Sequence, residues 1–323
     1  MGALCAAPAE SRAWLPAARP VGRAEGTDTL NKADRNALIA IPIIILVGLG
    51  VALAGSQGGG RALGMPVFAL SVGLAFVIQW LAFIPAYLLQ TEKFLDLTGG
   101  LTYVLVAIVA VLLSPVVDGR SILLLALVVV WAARLGLFLF RRIQKAGKDA
   151  RFDEIKPSLA RFLNFWTVQG LWVTLTLAAA LVAITTTTRV ELGGFALAGA
   201  LVWGLGFAIE AAADFQKSRF RADPENRGKF IHTGLWAWSR HPNYFGEIVL
   251  WIGVALIALP VLRGWQWVTL ISPVFVTFLL TRVSGVPILE KRADEKWGGQ
   301  PDYEAYKERT PVLIPWPPSS FRH

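Results

Sequence analysis

Eight stretches of this chain are apolar over a length that lets a helix cross a bilayer: residues 36–55, 66–90, 97–116, 121–141, 163–187, 193–213, 243–262 and 266–289. Inside hydrocarbon every backbone N–H and C=O must find its partner within the protein. A chain with this many crossings is therefore expected to be all-α, a polytopic transmembrane helix bundle of about eight spans. With 55% of 323 residues hydrophobic and only 16% charged, a single soluble core is the wrong picture. The partner implied for the outer surface is the lipid bilayer.

The net charge of +9 could point to nucleic acid, but the basic residues sit in short connections between apolar runs rather than on a soluble face. Alternate loops carry one each, Arg61, Arg120, Arg189 and Arg263, while the rest crowd into the intervening segments and the two ends. That asymmetry puts both termini on the cytosolic side of a multi-pass membrane protein. Residues 1–34 are rich in Ala, Arg, Pro and Gly and lack a signal-peptide core, so they are expected to form a disordered cytosolic leader. The membrane domain is then 35–316, followed by a short tail, 317–323. One cysteine and three scattered histidines supply neither an internal disulfide nor a metal site, so no metal is expected. No Walker A or G-x-G-x-x-G pattern occurs in a setting that would bind a nucleotide. Gly48, Gly204 and Gly206 are read as small residues that let membrane helices approach closely.

Polar residues inside the apolar runs carry the functional signal. Glu247 lies about one turn inside the seventh run, where an unpaired carboxylate costs several kcal/mol, and Asn243 shares its helix face. Upstream, the segment 210–251 holds Lys217, Arg219, Arg221, Arg227, Lys229 and Arg240. These suit a phosphorylated ligand or, more simply, lipid headgroups at a positive-inside loop. Asp96 and Tyr103 in the third run, Arg134 in the fourth, Asn164, Trp166 and Gln169 in the fifth, and Glu210 with Asp214 in the sixth fall at similar depth. Each alone reads as an interhelical hydrogen bond or a snorkelling side chain. Together they predict one polar cavity shared by several spans.

The strings EKFLDLTGGLTY, FWTVQG, GFAIEAAADFQKSRF, GLWAWSRHPNYFGEIVLWIGVAL and YEAYKERTPVLIPWPP resemble the steroid 5-alpha-reductase-like integral membrane family, in particular its bacterial-type branch. The resemblance runs from about 91 to 316. It implies an NADPH-dependent reductase that delivers hydride to a carbon–carbon double bond of an enone in a lipophilic substrate, here in a bacterial inner membrane. By the same resemblance Asp214, Arg221, Lys229, Asn243, Glu247 and Trp251 contact the cofactor, with Lys229 standing where the steroid reductases carry Arg. The chemistry of the ligand adds Arg240, His241 and Tyr244 to that set. The substrate carbonyl needs a hydrogen-bond donor. The family's Glu falls on or beside Asp96 and its Tyr on Trp131, so the acid is Asp96 or Tyr103, with Trp131, Arg134, Trp166 and Gln169 lining the substrate pocket.

Two departures matter. An indole cannot supply a proton, which separates this chain from steroid substrates more than from reductase chemistry. In the last span, SGVPILEKR replaces a His-containing stretch of the sterol reductases. The RHP-x-Y-x-G block also resembles the isoprenylcysteine and phospholipid methyltransferases, which bind S-adenosylmethionine, although their Glu-Glu tail pair is here the single Glu290. A non-enzymatic membrane scaffold is the third alternative.

Overall fold

A computed structural model describes residues 31–146 and 152–317, with the side chains of Asp96 and of residues 137–146 outside what it describes. Most of the leader and the last residues of the tail also lie outside the described residues. Helix α1 (Lys32–Gly55) opens at Asn31, whose side chain accepts from the Ala33 N–H at 3.3 Å. A two-residue hairpin, Arg61–Ala62 against Met65–Pro66, leads into α2 (Val67–Leu88). Helices α3 (Leu95–Leu113), α4 (Gly119–Ala146), α5 (Leu159–Thr185), α6 (Gly194–Ala222) and α7 (Pro242–Ala258) follow.

Among the described residues, seven runs are long and apolar enough to cross a bilayer, and the apolar part of α3, Leu97–Leu113, is shorter. The chain is an integral multi-pass membrane protein built as an all-α bundle. Two elements differ from the sequence expectation. Helix α6 continues past 213 to Ala222, so Lys217 and Arg221 stand on the same helix as Glu210 and Asp214 rather than in a loop. The last run is not one helix: a 3₁₀ segment (Gly264–Leu270), α8 (Ile271–Phe278), a π-helical turn (Leu279–Val283) and α9 (Val286–Trp297) succeed one another. The break falls at Ser284–Gly285, where Pro287 has no N–H to continue the ladder. A short α10 (Pro301–Arg309) precedes the final extended segment.

Helix α5 lies at the centre. Its most apolar window is 83% buried, against 22% for α1, because the run TLAAALVAI is apolar and small on every face. Helices α1 and α6 form the rim and turn Leu46, Leu53, Leu197, Leu201 and Leu205 outward. At the end away from the basic connections, Arg120 donates to the carbonyls of Val190 (2.7 Å) and Glu191 (3.2 Å), and Gln266 donates to that of Gln57 (2.6 Å). At the basic end Asp34 meets Ser158 (2.6 Å) and Arg161 (3.0 Å), and Lys156 meets Glu92 (2.6 Å).

The closest helix pair is α6 with α7, which run antiparallel with their backbones in contact. A Cβ added at Gly206 would stand 2.6 Å from the Gly246 carbonyl, and one at Gly246 would stand 2.6 Å from the Gly206 carbonyl. Two turns away Gly199 and Gly253 repeat the same reciprocal approach at 2.6 Å. Gly48 faces the Phe76 ring closely, whereas Gly204 points into open space. Gly246→Ala should therefore destabilise the protein by about 1–3 kcal/mol through overpacking. Gly204→Ala, at an open position inside α6, should instead leave stability unchanged or raise it by up to about 1 kcal/mol. Denaturant-driven unfolding of the two variants in detergent micelles checks the difference.

Candidate functional site

The α6–α7 contact sets two acidic positions of α6 beside two polar positions of α7. Glu210 and Asp214 are four residues apart on α6, and Asn243 and Glu247 are four apart on α7, so each pair forms a stripe on one helix face. The Asn243 amide donates to Asp214 at 3.1 Å. From α4, Arg134 pairs with Glu210 at 2.5 Å and, through its other terminal nitrogen, with Asp214. Its guanidinium also lies 5.7 Å from the centre of the Phe207 ring. Glu247 is buried and close enough to Glu210 and Asp214 for their charges to interact. Glu210, Asp214, Glu247 and Arg134 thus share one interior region. Arg134 is a member of this ionic cluster, not a snorkelling side chain.

An aromatic wall adjoins the cluster. Tyr103 of α3, Trp131 of α4 and Trp251 of α7 are buried in an edge-to-face series, with ring centres 5.0 Å apart at each step. The Tyr103 hydroxyl pairs with the Thr176 hydroxyl of α5 and lies within electrostatic reach of Glu247. Among the described residues, the indole nitrogens of Trp131 and Trp251, Gln169 Oε1, Asn243 Oδ1 and Glu210 Oε2 have no hydrogen-bond partner. Polar atoms buried this deeply normally have one. Trp166 lies elsewhere, in a separate cluster with Phe83, Phe152 and Phe162, its ring 6.2 Å from that of Phe162. Asp96 stands in the first turn of α3, with its side chain outside the described residues.

The remaining sequence candidates divide into two groups. Arg240 and His241, just before α7, are both held by Glu290 of α9, at 2.9 and 2.7 Å. Tyr244 is buried and stacks on His241, ring centres 5.6 Å apart and 8° from parallel. The final segment reinforces this arrangement. Arg240 N–H donates to the Pro311 carbonyl (2.9 Å), Ser239 to Leu313 (2.8 Å) and the Tyr306 hydroxyl to Trp236 (2.7 Å). Phe230 packs among Trp297, Tyr303 and Tyr306. Arg221 and Lys229 form the second group; they are exposed at the basic end.

Thr176 therefore joins the site's construction, together with Glu210 and Glu290, which the sequence placed in the polar line and in the tail. Glu210 was visible as a carboxylate one turn before Asp214 in an apolar run. Thr176 gave no such signal, and the partners of Glu290 could not be read, since each residue meets its partner across a long sequence separation.

Fold and site together define a multi-pass membrane protein with a cluster of acidic and basic side chains buried between its spans. The chain belongs to the family described as "Protein of unknown function (DUF1295)", whose model matches residues 82–310; the family is steroid 5-alpha-reductase-like. It is also similar to the Delta(14)-sterol reductase ERG24A of Gibberella zeae, 37% identical over 92 residues. That match spans 24% of this chain and 18% of the enzyme. No solved structure matches the chain.

Two outcomes follow from the ionic contacts. Arg134→Met leaves Glu210 and Asp214 buried without their cation and should cost about 3–5 kcal/mol. The triple change R134M/E210M/D214L should recover most of it, as unfolding midpoints in micelles would show. Burial pushes the His241 imidazole below its ordinary pKa, Lys217 and Arg240 act in the same direction, and the hydrogen bond to Glu290 opposes them. The folded protein thus refuses a proton that the unfolded chain accepts. This contribution to stability is intact above about pH 6.5 and is lost as pH falls below it. His241→Gln should flatten that part of the melting-temperature profile between pH 7.5 and 5.5.

Proposed function

We propose that the protein is a membrane reductase that uses NADPH to reduce an enone-type carbon–carbon double bond in a lipophilic substrate. The observation that carries this reading is Asn243. Its amide nitrogen is committed to Asp214, which leaves Oδ1 as an acceptor beside Glu247 at the buried end of the basic segment. An acceptor so fixed suits the carboxamide of a nicotinamide, and Glu247 suits ribose hydroxyls. At the phosphate end the donor set is Arg221 and Lys229. Arg240 and His241 are engaged by Glu290 and serve to position the start of α7. The partial match to a sterol reductase supports the same class.

Bound NADPH would supply the hydride. The chain's own contribution is to hold and polarise the substrate. Tyr103, buried and tethered to Thr176, is placed to donate to a carbonyl oxygen as negative charge develops there. Trp131 and Trp251 present indole N–H groups beside it and exclude water. Gln169 offers a further polar atom on α5. Asp96 is the second candidate acid, and the basic end is the cytosolic entrance for the cofactor.

Thermal denaturation of purified protein in detergent tests the cofactor. NADPH should raise the midpoint, and Asn243→Ala or Glu247→Ala should abolish the rise. Stabilisation by S-adenosylmethionine in place of NADPH would instead make the protein a methyltransferase. With a lipophilic enone as substrate, Tyr103→Phe should lower kcat by about 10²–10³-fold. An equal loss in Asp96→Asn but not in Tyr103→Phe would assign the acid to Asp96.

A further inference from the structure

Helix α9 has two unlike faces. One is occupied: Glu290 holds Arg240 and His241, Asp294 takes Lys307 at 2.7 Å, and the Trp297 indole donates to the Gly228 carbonyl at 2.5 Å. The other presents Pro287, Ile288, Lys291, Arg292 and Glu295, which line an open cleft of about 400 Å³. These positions recur at helical spacing, so they form one stripe. Its upper part is apolar and its lower part cationic. Lys291 meets Glu295 only at 3.9 Å. Arg292 lines the cleft and, among the described residues, has no ion-pair partner; its Nη1 is enclosed by protein, which leaves its other nitrogens for a ligand.

The cleft lies on the helix that follows the last apolar run after its break at Ser284–Gly285. Val274, Phe278 and Val283 are exposed along the turns before that break, with Arg282 exposed beside them. A helix that leaves the hydrocarbon here carries Lys291 and Arg292 out at headgroup level. Two cations against one carboxylate, over an apolar floor, match a phosphate attached to acyl chains. A free anion would leave Pro287 and Ile288 unused. Guanidinium binds phosphate through two parallel hydrogen bonds, and each cation near an anionic lipid surface adds further attraction.

We propose that this face of α9 is a binding site for one anionic phospholipid, its phosphate on Arg292 and Lys291 and its acyl region against Ile288 and Pro287. The site is separate from the buried cluster and does not depend on the reductase reading.

The test uses the full chain in a neutral detergent. Phosphatidylglycerol should raise the melting temperature saturably, and phosphatidylcholine with the same acyl chains should not. The double variant K291A/R292A should need about tenfold more phosphatidylglycerol for half the effect. Lys296→Ala, which removes an exposed lysine stacked on Trp297, should behave as the parent does. Native mass spectrometry of the unmodified protein gives a readout that no variant's folding can obscure. One retained phosphatidylglycerol, kept in preference to phosphatidylcholine, is expected. Equal responses to the two lipids, equal losses in K291A/R292A and Lys296→Ala, or a full effect from inorganic phosphate alone would each overturn the proposal.

Discussion

The arrangement of this protein depends on the backbone contact between α6 and α7. Gly199 and Gly206 face Gly253 and Gly246 so closely that a methyl group on any of them would meet a main-chain atom of the opposite helix. In hydrocarbon there is little hydrophobic gain from helix association, so van der Waals contact of this kind carries much of the packing. Its consequence is chemical. Because the two helices touch, Glu210 and Asp214 lie opposite Asn243 and Glu247, and α4 closes the group with Arg134.

That group is costly as well as useful. Burying ions costs several kcal/mol each unless geometry and hydrogen bonds compensate, and the Arg134 guanidinium bridges two acidic side chains, Glu210 and Asp214, here. Such a cluster persists in a membrane interior where something is gained from it. The reading favoured above is that a nicotinamide dinucleotide and a polarised carbonyl are the groups it receives. The clasp at the basic end fits this division. Glu290 engages the Arg240 guanidinium and the His241 ring and so fixes the entrance to α7, while Arg221 and Lys229 stay exposed at the basic end.

Much of the frame could be read directly from residues. Apolar runs of membrane-crossing length follow from composition alone, and the three-to-four residue spacing of Glu210 with Asp214 and of Asn243 with Glu247 placed each pair on one face. Other features could not be read this way. Trp166 was placed with Gln169 in the shared pocket, yet it packs in a separate cluster with Phe83 and Phe162. Glycine content suggested close packing, but Gly204 faces open space while Gly206, two residues on, is the contact. The last run looked continuous because hydropathy does not register the π-helical turn and the break before α9.

The sequence by itself determined the class of fold, since a chain that must hide its backbone from lipid has few solutions and these runs select the helical one. It also marked which polar side chains are out of place in hydrocarbon. Only the tertiary structure decided which of them meet. Ion pairing and hydrogen bonding act over a few ångströms, and Arg134 to Asp214, Arg240 to Glu290 and Tyr103 to Thr176 are brought within that range solely by how the helices pack.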